Sequence, residues 1–84
     1  MPLAFVMINV KVGTDPEVVT ELKAMKNIIG VYEVYSVYDI VAEVKVGTMD
    51  ELEEVNSRIR RLTDIVSTHT MIVAEKMSAG IFHS

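Results

Sequence analysis

Few residues of this chain could do chemistry on their own. It has two histidines, His69 and His83, and no cysteine. Thiolate nucleophiles, disulfides and thiolate metal sites are therefore excluded. The histidines lie too far apart for a metal pair, and no phosphate-binding glycine loop or nucleophile elbow is present. No metal site and no cofactor is expected. Asp39 could act as a general base only inside an enclosing pocket; in a turn, its ordinary role is to hydrogen-bond nearby backbone. His69 falls on a predicted strand, where a face or interface position is its ordinary use. Tyr32, Tyr35 and Tyr38 suit strand packing or a stacking platform. The hydroxyls of Ser67, Thr68 and Thr70 could hold a small polar ligand, and they also simply suit β structure. Together these residues favour binding over catalysis.

The elements that must position them fit one domain. The 84 residues suffice for a single core, and at this length a core alone gives thin stability. Without disulfides or a structural metal, association is the remaining source of extra stability. Half of the residues are apolar and mean hydropathy is +0.32, which suggests more apolar surface than one core hides. Net charge is −4. A domain binding nucleic acid directly would carry a basic stripe. The one basic cluster, Arg58, Arg60 and Arg61, instead suits the end of a helix. No apolar run approaches the roughly 18 residues of a membrane span, and nothing resembles a signal peptide. A cytoplasmic location follows as the expectation.

Leu3 to Val12 alternates, with Ala4, Val6, Ile8, Val10 and Val12 on one face. Asp15-Pro16 opens a helix, Asp15 as cap and Pro16 at the first helical position. Val18, Leu22, Met25 and Ile29 form its apolar stripe. Val31 to Val46 is too long for one ordinary strand, so the spacing predicts two strands reversing at Tyr38-Asp39. Ile40, Ala42, Val44 and Val46 make the buried face of the second. Thr48-Met49-Asp50-Glu51 is a capping box, followed by the stripe Leu52, Val55, Ile59 and Leu62. Glu54 and Arg58 are spaced for an ion pair. Val66 to Glu75 is a last strand, with Thr68, Thr70, Ile72 and Ala74 alternating against Ser67, His69, Met71 and Val73. Residues 1–75 thus form the domain and 76–84 a tail.

The order is β-α-β-β-α-β, the ferredoxin-like arrangement of the α+β class. Two helices cover one face of a four-stranded antiparallel sheet. The other face carries Phe5, Met7, Met71 and Val73. A second copy is its simplest cover, because a two-fold interface is self-complementary.

The segment from Ile28 to Val46 resembles the effector-binding RAM domain of the Lrp/AsnC regulators. Gly30-Val31, Val34-Tyr35-Ser36-Val37, Tyr38-Asp39-Ile40-Val41 and Ser67-Thr68-His69-Thr70 carry the resemblance, which extends from Leu3 to Glu75. Full-length members carry a helix-turn-helix; this chain opens directly on a strand and resembles the stand-alone RAM proteins. The resemblance implies dimers through the sheets, larger assemblies of dimers, and amino-acid effectors bound between dimers. It implies co-assembly with full-length relatives to adjust transcription. It places Tyr38, Asp39, Ile40, Ser67, Thr68 and Thr70 at the ligand. The family usually has a glycine in the turn, as in V-x-G-x-Y-D; here Val37 runs straight into Tyr38-Asp39. The sequence therefore leaves a tight turn or a long strand exchanged with a neighbour.

Other functions share the fold. A dimeric α+β-barrel enzyme for a small hydrophobic substrate would need His69 inside an enclosed pocket. A purely structural assembly element and an ACT-type amino-acid-binding domain are the further alternatives.

Overall fold

A computed structural model describes residues 2–77 of the chain. The predicted tail beyond Met77, His83 included, lies outside the described residues.

Strand β1 spans Leu3–Val10. Ala4, Val6, Ile8 and Val10 are buried, as their alternation predicts. Val12 does not join them. The strand ends before it, the chain turns through Gly13 at φ 83°, and Val12 is fully exposed. Helix α1 spans Asp15–Lys23. Thr14, not Asp15, holds the cap position, and its hydroxyl donates to the Lys11 carbonyl at 2.7 Å instead of capping the helix. Asp15 contributes as a first-turn acid beside the positive helix end.

Val18 and Leu22 bury the inner face of α1. The predicted stripe ends there. Asn27 adopts φ 77°, a left-handed conformation that asparagine tolerates. The next two residues already belong to strand β2, Ile28–Glu33. Met25 still packs against the core from the connection, while Ile29 is exposed.

Strand β3 spans Ile40–Lys45, so residues 34–39 form a loop. The reversal is therefore not a two-residue turn at Tyr38-Asp39. It is a wider loop closed by the Val34 N–H donating to the Asp39 carbonyl at 3.0 Å. β2 and β3 pair within the chain, with Glu33 opposite Ile40, so no exchanged strand is needed. Asn27 and Asp64 are the positive-φ non-glycine residues described, so this loop turns without left-handed backbone and needs no glycine.

Helix α2 spans Met49–Arg61 and opens on the predicted capping box. The Glu51 N–H donates to Thr48 Oγ1 at 3.2 Å and the Thr48 N–H donates to Glu51 Oε1 at 3.1 Å. Leu52, Val55 and Ile59 are buried and Leu62 packs beside them. The expected Glu54–Arg58 pair does not close; among the described residues the ion pair present is Lys11–Asp64 at 3.9 Å. Strand β4 spans Ile65–Ile72, ending before the predicted Glu75.

The sheet order is β2-β3-β1-β4, and every neighbouring pair is antiparallel. Register fixes the two faces. Ala4, Val6 and Ile8 stand opposite Val44, Ala42 and Ile40, all buried under the helices. Phe5 and Met7 point the other way, beside Glu43 and Val41 on β3 and Met71 and His69 on β4.

Candidate functional site

Strand alternation distributes the candidate residues over two faces. Ser67 stands opposite Asn9 on the open face, where the Asn9 amide donates to its hydroxyl at 3.2 Å. Thr68 and Thr70 stand opposite Ile8 and Val6, so they lie on the helix face. Thr70 donates its hydroxyl to Asn56 Oδ1 on α2 at 3.2 Å. Ile40 is wholly buried in the core. Within the protomer, Ser67 is thus separated by the sheet from Thr68, Thr70 and the Ile40 side chain.

Tyr38 reaches the open face. Its ring stacks on His69 with centroids 6.3 Å apart and planes 17° from parallel. His69 is exposed in the protomer. Beside this stack lies Met7, which is buried although it faces away from the helices. Phe5, Val41, Met71 and Tyr32 extend the apolar surface.

Asp39 ties the loop to β1. Its Oδ2 accepts the Val10 N–H at 2.9 Å and its own N–H donates to the Ile8 carbonyl at 3.0 Å. The backbone role expected of a turn aspartate is therefore filled. Asp39→Ala should lower stability by about 1–3 kcal/mol, because the half-buried Val10 N–H loses its acceptor. Asp39→Asn, which keeps an oxygen there, should recover much of the loss in urea melts.

Asp39 also lines a cleft of about 450 Å³ with Asp15, Glu33, Val34 and Tyr35. The cleft joins the start of α1 to the end of β2 and the β2–β3 loop, so the first βαβ half and the connection after it build it. Asp15 and Glu33 line this cleft without standing among the site residues expected from the sequence. Nothing local marks them for a shared cleft; the pairing of Glu33 with Ile40 brings Glu33 to Asp39, and the start of α1 brings Asp15.

Across the open face, the Tyr32 hydroxyl donates to Glu43 Oε1 at 3.1 Å. Gly30 leaves the room for this contact: a Cβ there would sit 2.9 Å from Glu43 Oε1 and 3.1 Å from the Tyr32 hydroxyl. The hydrogen bond, and then the negative charge of Glu43, raise the Tyr32 phenol above its ordinary 10.0. The neutral phenol is the favoured form, so this contribution to stability is full below pH 10.0 and fades as pH rises through the raised value. In an ultraviolet titration, one of the three tyrosines should ionise late. Glu43→Gln should move it earlier; three unchanged phenols would contradict the contact.

These features define a ferredoxin-like α+β domain with one sheet face uncovered and a polar cleft at its loop end. The model of the Lrp/AsnC ligand binding domain matches residues 3–80, and the chain belongs to that family. The HTH-type transcriptional regulator FL11 of Pyrococcus furiosus is 35% identical over 71 residues. That match takes in 84% of this chain and 47% of FL11, so the chain spans about half the length of such curated relatives. The crystal structure of FFRP-DM1 superposes with a TM-score of 0.82 at 32% identity, covering 87% of this chain and 99% of that one. A Mycobacterium tuberculosis feast or famine regulatory protein, solved with L-methionine, shares the fold with a TM-score of 0.79 at 23% identity; it covers 99% of this chain and 56% of that one. The chain is thus a ligand-binding domain of the type found in transcriptional regulators.

Proposed function

We propose that this domain binds amino acids, assembles with itself through its open sheet face, and modulates transcription together with longer relatives that supply the DNA contacts. The family match over residues 3–80 carries this reading. The L-methionine held by the M. tuberculosis neighbour supports an amino-acid effector. The net charge of −4 supports a chain that meets DNA only through a partner.

In this reading, two copies bury Phe5, Met7, Val41 and Met71 against each other, and such dimers assemble further. Tyr38, Asp39 and Ser67 meet the effector from the loop end and the open face. Ile40, Thr68 and Thr70 support that site from the other side of the sheet. Isothermal titration of the full chain against the standard amino acids tests the proposal. At least one should bind, and Tyr38→Ala should weaken it by about tenfold, or about 1.4 kcal/mol. Absence of heat with all of them would remove the sensing role.

A further inference from the structure

We propose that the outer face of α2 docks antiparallel on α2 of a second copy, making a self-contact separate from the open sheet face. The helix carries Asp50, Glu53 and Glu54 in its first half and Arg58 and Arg61 in its second. At 3.6 residues per turn these side chains share the stripe opposite Leu52, Val55 and Ile59, and with Ser57 they line one shallow depression. The order suits the helix dipole, but the dipole leaves the charges without partners. Among the described residues, none of the five forms an ion pair within its own chain.

A two-fold axis supplies the partners in one register. Antiparallel α2 helices centred between Glu54 and Ser57 place Asp50 opposite Arg61 at the middle of the stripe, Glu54 beside Arg58 on one flank, and Glu53 beside Ser57 on the other. The symmetry repeats each pairing, so every charge on the stripe meets an opposite charge or a hydroxyl donor. A parallel arrangement would instead oppose like charges. The small Ser57 lets the helices approach near the axis. The stripe has no apolar side chain, and exposed ion pairs contribute little individually. The contact is therefore weak and sensitive to salt, suited to joining units already formed through another surface.

Sedimentation of the full chain at low and high ionic strength tests the contact. At low ionic strength, the weight-average mass should reach about twice its high-salt value. Asp50→Arg with Glu54→Arg, or Arg58→Glu with Arg61→Glu, should each abolish that doubling, and an equimolar mixture of the two double variants should restore it. Thr48 and Glu51 are untouched, so the capping box survives in both. Because the chain has no cysteine, Ser57→Cys offers a second readout that leaves the charges in place. Under mild oxidant it should form a linked pair about tenfold faster than Thr20→Cys on α1, through a raised effective concentration, and high salt should remove the advantage. Equal linking rates for Ser57→Cys and Thr20→Cys, or masses unmoved by both charge reversals, would overturn the proposal.

Discussion

A Met71→Lys variant should sediment as a monomer under conditions where the parent self-associates through its sheets. Met71 is 51% exposed in the protomer and stands opposite Phe5 on the open face. A lysine there stays hydrated in the single subunit, so the free energy of unfolding should change by about 0.5 kcal/mol or less. In a face-to-face dimer, two-fold symmetry brings two ammonium groups into one apolar contact. Each loses water in that contact, at a cost of several kcal/mol. The expected weakening is at least about 10³-fold, or about 4 kcal/mol. Met71→Leu should leave association nearly unchanged. Equal association of the lysine variant and the parent would exclude this face as the interface.

Leu22→Ala should have the largest effect on the protomer. α1 has nine residues, shorter than the roughly 12–15 at which an isolated helix becomes even marginal. It is held by Val18 and Leu22, both wholly buried. Removing the Leu22 side chain should cost about 2–5 kcal/mol. A domain of this length has a total stability of roughly 4–13 kcal/mol, so the variant should be partly unfolded near physiological temperature. Leu22→Met, close in volume, should cost less than about 1.5 kcal/mol in the same denaturant melts. A small loss for the alanine variant would mean that α1 is anchored by something other than this contact. Because Asp15 enters the cleft from the start of α1, loosening the helix should also weaken any ligand held there.

What could be read from the sequence was what local chemistry and strand alternation determine. Thr48 and Glu51 are three residues apart and cap one helix, so their pairing needed no tertiary knowledge. The buried faces of β1 and β3 followed from period-two patterning. After α1 the pattern and the structure part: Met25 and Ile29 continue a helical spacing, whereas the left-handed Asn27 breaks it and the Ile28-Ile29 pair begins a strand. The loop at 34–39 departs from its side-chain pattern for a related reason. Val34, Tyr35, Val37 and Tyr38 have strand-forming side chains, but β3 begins only at Ile40, and beyond Glu33 no paired strand remains for them. The candidate site suffered from adjacency. Ser67 and Thr68 are neighbours in sequence, yet a pleated strand sends them to opposite faces. Asp15 and Glu33 carry no local signal of a shared cleft, since only the packing of α1 and the pairing of β2 with β3 bring them to Asp39.

The position of β1 between β3 and β4 governs how the molecule can come into being. Although the chain consists of two successive βαβ units, its strands interleave, and neither unit holds a sheet with a complete set of neighbours. Ala4 must find both Val44 and Ile72. Pairings so distant along the chain favour slow, all-or-none assembly over stepwise growth. During synthesis, the N-terminal strand must wait for β4 to emerge, with its apolar residues open to collapse or chaperone capture. A cut between α1 and β2 should therefore give two fragments that are each unfolded and regain structure only when mixed.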